Sequence, residues 1–247
     1  MITPTDPVRP PTDLVLLAGL NNTPAIWDEV AAALATLQPS TRLHRPHLPP
    51  LDATETIAAQ LLDDLPPRFA CVGFSFGGYV ALAMLEAAPQ RFTGFALVCS
   101  STRAESQASA ALRRRAMEIA AGGGYETMVA RAFPNTVHPS RLEDPALLAR
   151  RATMVAGYGA ERFVAHGKAC LDRPDRTALL RRFDGPKLIV ATGDDKVVPP
   201  DLVGAIAHEV PDARFVTVAD CGHLLPLERP LALATELAAW LNGPRAD

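Results

Sequence analysis

The chain has 247 residues, 48% of them apolar and 21% charged, with a formal net charge of −3. That length suits one large α/β unit with a substantial core, and the near-neutral charge supplies no basic footprint for nucleic acid, so a neutral or small-molecule partner is expected. No apolar run is long enough to span a bilayer, and residues 1–13 are proline-rich rather than a basic patch followed by an apolar run, which speaks against a membrane partner or a secreted protein.

Taken in order, short apolar or β-branched runs alternate with longer helical ones, the pattern of parallel strands joined by crossover helices. A first strand is predicted over residues 14–18, followed by the loop Ala18-Gly19-Leu20-Asn21 and a helix over 24–37, with Thr23 as N-cap and Pro24 at the first helical position. A weakly marked strand at 42–45 leads to a helix at 54–65, a strand at 69–74, a helix at 77–88 and a strand at 94–100. Residues 101–185 hold several helix-like segments and no convincing strand, so they read as a helical cap inserted into a core made of 1–100 and 186–247. Strands at 187–191 and 214–218 and helices at 201–209 and 230–241 complete the pattern. The expected fold is α/β, a mostly parallel sheet of about six strands flanked by helices, with that cap inserted.

The cap carries 14 Lys and Arg against 9 Asp and Glu, and the rest of the chain 10 against 18. A positive cap would favour an anionic substrate, but solvated arginines on helix surfaces, Arg113, Arg114 and Arg115 among them, are the plainer reading. Cys71, Cys99, Cys170 and Cys221 are far apart, and two lie in apolar strand-like runs, which suits packed thiols in a reducing, cytoplasmic setting better than a disulfide framework.

The chemistry concentrates at Gly73-Phe74-Ser75-Phe76-Gly77-Gly78, a G-x-S-x-G motif between a strand and a helix. A serine on so tight a turn projects its hydroxyl into the cleft, and side chains two positions either side would meet neighbouring backbone, so Gly73 and Gly77 are needed there. The start of the following helix directs N–H groups toward any oxyanion formed beside Ser75. A serine hydroxyl needs a base within reach, and of the six histidines His223 is the candidate. It follows the last strand in a glycine-containing loop that emerges at the same carboxyl edge as Ser75. A carboxylate must then hold the imidazole in one tautomer, and Asp194 or Asp195, in the turn after the strand at 187–191, can serve. The order Ser, Asp, His along the chain fits. The amides of Phe76 and Leu20 are the expected oxyanion donors, Gly19 allowing close backbone approach.

These residues together resemble the α/β-hydrolase superfamily from about residue 14 to 241. The elbow, the cap and the ending Cys221-Gly222-His223-Leu224-Leu225-Pro226-Leu227-Glu228-Arg229-Pro230 are similar to the branch of enol-lactonases and small carboxylesterases. The resemblance implies a metal-independent serine hydrolase without a cofactor, cleaving a small carboxylic ester or lactone through an acyl-enzyme. The same fold also hosts thioesterases and C–C hydrolases, perhydrolases and lyases, and a non-catalytic ligand receptor is a further alternative. A nucleophilic aspartate, as in dehalogenases of this fold, is disfavoured by the serine at the elbow.

Three departures stand out. Ala18-Gly19 replaces the common His-Gly pair before the oxyanion loop. The acid turn is one residue short, and matching its Asp-x-x-x-Pro spacing to Pro199 selects Asp195, with Asp194 as fallback. The antiparallel strands that often open the fold are expected to be missing from the short proline-rich start.

Other signals carry less. His44 and His47 lack a third ligand for a metal, His166 and Cys170 stand four apart in a cap helix, and Cys221 beside the base reads as a packed thiol. Trp27, Phe74, Phe76 and Tyr79 could line a pocket, though core packing suits Trp27 and Tyr79 at least as well.

Overall fold

A strand covered on both faces must be apolar throughout, and the middle of this sheet is built from such runs. A computed structural model describes residues 12–243. Among them are six parallel strands, β1 (Asp13–Leu17), β2 (Arg42–His44), β3 (Phe69–Phe74), β4 (Phe92–Val98), β5 (Lys187–Thr192) and β6 (Arg214–Val218), in the order β2-β1-β3-β4-β5-β6. Every residue of β3 and β5 is buried. Alternation along the strands splits the core in two: Leu14, Leu16, Val72 and Val190 face one side, Val15, Leu17, Cys71 and Ile189 the other.

The edges look different. β2 has only three residues, all at least partly exposed, and is tied to β1 through Asp13, which accepts from Arg42 Nη2 at 2.7 Å and meets His44 Nε2 at 2.8 Å. The guanidinium beside Asp13 holds its carboxyl down to about 2. This polar edge explains the weak strand signal at 42–45. β4 starts two residues before the expected 94, because Phe92 pairs with Phe69 across a register shift and their rings meet at 4.9 Å. It stops at Val98, where Cys99 takes φ 45° and leaves the extended region.

Helices α1 (Asp28–Leu37) and α11 (Pro230–Asn242) cover the first face, and α2 (Thr54–Asp64), α3 (Phe76–Ala87) and α9 (Pro200–Glu209) the second. The helix expected over 24–37 divides: Pro24–Trp27 is a 3-10 turn that precedes α1. Thr23 does not cap it with its side chain; its carbonyl accepts from the Ile26 N–H at 3.1 Å. Between β4 and β5 lie α4 (Gln107–Ile119), α5 (Tyr125–Ala132), α6 (Pro145–Tyr158), α7 (Ala160–Asp172) and α8 (Thr177–Arg182), and a short α10 (Leu225–Glu228) precedes α11.

The helices between β4 and β5 have an apolar centre around Tyr125, Val129, Tyr158 and Phe163. Asp144 caps α6 by accepting from the Ala146 and Leu147 N–H groups, both at 3.0 Å. Arg176, buried at the start of α8, ties that helix to α2 and α3 through Glu55 at 2.5 Å and Glu86 at 2.8 Å. Among the described residues no helix is long and apolar enough to cross a membrane. The expectation about missing antiparallel strands concerns residues 1–11 and lies outside the described residues.

Candidate active site

The strand order places the crevice. The chain runs from β1 outward to β2, then returns past β1 to β3, so the carboxyl ends of neighbouring β1 and β3 open into a cleft. Ser75 is the single residue between β3 and α3, with φ 51° and ψ −119°, a conformation that side chains rarely adopt. Its surroundings hold it there. Its N–H donates to the Val98 carbonyl at 2.9 Å, and its carbonyl accepts from the Gly78 N–H at 2.8 Å and from Ser100 Oγ at 2.7 Å.

The glycine spacing has a direct cause. A Cβ on Gly73 would stand 2.4 Å from the Gly78 Cα, and one on Gly77 2.4 Å from the Leu17 carbonyl oxygen. Strand, helix and neighbouring strand therefore touch backbone to backbone around the serine. Ser100, which no local motif marks, adds a third constraint from the end of β4.

His223 lies in the loop after β6 and Asp195 in the turn after β5. Ser75 Oγ is 2.9 Å from His223 Nε2, and His223 Nδ1 is 2.7 Å from Asp195 Oδ2. Asp195 Oδ1 accepts from the N–H groups of Val197 and Val198, both at 2.8 Å, so the carboxylate is oriented by backbone. Asp195 and His223 are only 4% and 6% exposed, which shields their interaction from water.

Asp194 points elsewhere: half-exposed, it lies 3.9 Å from His138 Nε2. The two loops are also sewn together, since Thr192 Oγ1 donates to the Gly222 carbonyl at 2.8 Å and the Asp194 N–H to Cys221 at 3.0 Å. Phe74 packs against the His223 ring at 5.2 Å.

Leu20 and Phe76 line the cavity beside Ser75. Phe76 opens α3, so its N–H has no acceptor within the helix. A Cβ on Gly19 would stand 2.9 Å from Ser75 Cβ, which shows how closely the loop after β1 passes the serine.

The cavity measures about 450 Å³ and includes Tyr79, Arg103, Arg113, Arg151, Arg173 and Glu105 in its walls. Of the three consecutive arginines, Arg113 reaches the cavity, whereas Arg114 and Arg115 are exposed. Arg113 Nη2 lies 3.1 Å from Glu105, a carboxylate that Arg173 shares.

The remaining candidates have other partners. Trp27 and Phe74 meet edge to face at 6.3 Å in the core. His47 is exposed, and among the described residues no cluster of His, Cys, Asp and Glu could hold a metal ion. His166 is fully buried, and burial lowers its pKa to about 4. Cys221 is buried too, and desolvation pushes its thiol far above the usual range.

A six-stranded parallel sheet with a serine on the sharp turn after β3 defines an α/β-hydrolase scaffold, and residues 14–236 match the alpha/beta hydrolase family, to which the chain belongs. A relative that matches most of the chain is a pimeloyl-[acyl-carrier protein] methyl ester esterase of Nitrosomonas europaea, 27% identical over 85% of this chain and 88% of its own. Among solved structures, a thermophilic esterase from Thermogutta terrifontis, with malate bound, superposes with a TM-score of 0.85 at 24% identity, covering 94% of this chain and 90% of its own. The enol-lactonase from Burkholderia xenovorans LB400 gives 0.82 at 19% identity over 94% and 92%. At these identities the two structures speak to the fold.

Proposed function

We propose that this hydrolase cleaves a small carboxylic ester or lactone through an acyl-enzyme on Ser75. The observation that carries the reading is the line of hydrogen bonds from Ser75 Oγ to His223 at 2.9 Å and from His223 to Asp195 at 2.7 Å. With Nδ1–H donated to the carboxylate, His223 Nε2 keeps the lone pair that accepts the Ser75 proton. Oγ then attacks the substrate carbonyl, and the Phe76 and Leu20 N–H groups receive the oxyanion.

The imidazolium returns its proton to the departing alkoxide, leaving the acyl group on Oγ. A water molecule, deprotonated by His223, attacks that ester, and collapse of the second tetrahedral species frees the acid and restores the serine. In this scheme the metal-independent chemistry uses protein groups alone, residues 101–185 act as the cap that shapes the pocket, and the buried thiols of all four cysteines suit a cytoplasmic setting.

A relative named as a methyl ester esterase supports the choice of bond. Ser75→Ala should abolish turnover of short p-nitrophenyl esters and labelling by a fluorophosphonate while keeping the melting temperature. Retained turnover would refute the reading.

A further inference from the structure

The loop after β1 is gripped from across the cavity by the inserted helices. Arg151, on α6, donates from Nη1 to the Asn21 carbonyl at 2.9 Å and to Asn22 Oδ1 at 2.5 Å. Tyr125, at the start of α5, donates its hydroxyl to Asn21 Oδ1 at 3.0 Å. Asn22 Nδ2 in turn donates to the Leu20 carbonyl at 2.6 Å. Tyr158, the last residue of α6, has its hydroxyl beside the Asn21 N–H and donates it to His166 Nδ1 at 2.6 Å. The other ring nitrogen of His166 faces the Pro49 carbonyl at 2.8 Å, and the ring stacks on Phe76 at 4.6 Å.

The loop needs such a grip. Asn21 sits at φ 60°, a left-handed conformation that a residue other than glycine adopts at a cost, and Gly19 on the other side of Leu20 is intrinsically permissive. Left to the backbone alone, the peptide of Leu20 has a choice of orientations. Arg151 is 6% exposed, yet among the described residues it meets no carboxylate; its partners are neutral carbonyl oxygens. A buried cation without a counter-ion is expensive, so its retention at the rim of the cavity points to a function for the charge. Burial lowers its pKa to about 10, which leaves it protonated at neutral pH.

We propose that Arg151, with Tyr125, is a positioning residue for the reaction: it fixes the Leu20-Asn21-Asn22 segment so that the preceding Leu20 N–H is held toward the developing oxyanion, and it adds an unneutralised positive charge on that side. The inference rests on the acyl-enzyme reading above. It makes the inserted helices part of the machinery that stabilises the transition state, in addition to forming pocket wall. A group that acts only as the transition state forms changes kcat and leaves KM alone, whereas a substrate-binding arginine changes KM.

The test compares kcat and KM on a short, uncharged p-nitrophenyl ester for the wild type, Arg151→Gln, Arg151→Lys and Tyr125→Phe, with Ser75→Ala alongside and melting temperatures for all. Loss of a direct oxyanion donor costs about 100- to 1,000-fold in kcat, so loosening one predicts a fall of about 10- to 100-fold in Arg151→Gln with KM nearly unchanged. Arg151→Lys, which keeps the charge, should recover part of it. Tyr125→Phe removes a single hydrogen bond while keeping the ring and decides the matter if Arg151→Gln does not fold; its kcat should fall several-fold. Wild-type kcat in Arg151→Gln, or in Tyr125→Phe where Arg151→Gln does not fold, or an effect confined to KM, would overturn the positioning role while a dead Ser75→Ala left the hydrolase reading intact. Turnover in Ser75→Ala would overturn both.

Discussion

Replacing Asp195 by Asn tests the orientation of the base at a single atom. Oδ1 accepts two backbone N–H groups at 2.8 Å each and Oδ2 faces His223 Nδ1 at 2.7 Å. In the amide, the oxygen must stay with the two backbone donors, because turning the NH₂ toward them would leave two buried donors unpaired at about 1–3 kcal/mol apiece. The NH₂ therefore faces Nδ1, which becomes an acceptor, and the ring proton moves to Nε2. That nitrogen, 2.9 Å from Ser75 Oγ, then has no lone pair for the serine proton. The expected result is a fall in kcat of about 1,000- to 10,000-fold, or about 4–5 kcal/mol in the barrier. The melting temperature should move little, since shape and backbone bonds are kept. Steady-state kinetics on a p-nitrophenyl ester, with thermal unfolding beside it, reads both. A folded Asp195→Asn variant within tenfold of the wild type would show that Asp195 does not set the tautomer.

Gly77→Ala should destabilise the protein by more than about 2 kcal/mol, because the new Cβ would meet the Leu17 carbonyl at 2.4 Å and only a shift of α3 from β1 makes room; an unchanged urea midpoint would contradict this. His166 should titrate near 4 by NMR rather than at the ordinary 6.5. With its folded pKa depressed, the unfolded chain binds more protons between those values, so stability present above pH 6.5 should be lost as pH falls through 4. A His166→Gln variant should lack that share of the acid sensitivity, and an NMR midpoint near 6.5 would refute the burial argument.

The sheet was legible because β3, β4 and β5 are buried on both faces and so announce themselves as apolar runs. The elbow was legible because its motif is contiguous, Gly73 to Gly77 between a strand and a helix, even though the Cβ that Gly77 lacks would meet Leu17 on the neighbouring strand. Strand polarity likewise brings Ser75, Asp195 and His223 to one rim in the structure; position along the chain left Asp194 and Asp195 open, the spacing to Pro199 selected Asp195, and the Val197 and Val198 N–H groups hold the Asp195 carboxylate.

What stayed hidden depends on distant partners. Arg151 looked like one more helix arginine, since Asn21 and Asn22 lie 130 and 129 residues away in sequence. Ser100 meets the Ser75 carbonyl across 25 residues. The division of the helix at 24–37 into a 3-10 turn and α1 leaves no mark in hydrophobic spacing, and α10 is too short to show a period.

The separation of 148 positions between Ser75 and His223 bears on how the protein is made. A growing chain that has folded through β5 owns a strained, projecting hydroxyl and a carboxylate, yet no proton acceptor stands between them until β6 pairs with β5 and its trailing loop arrives. On the acyl-enzyme reading, the proposed nucleophile therefore gains its base only when the last strand and its trailing loop join the sheet.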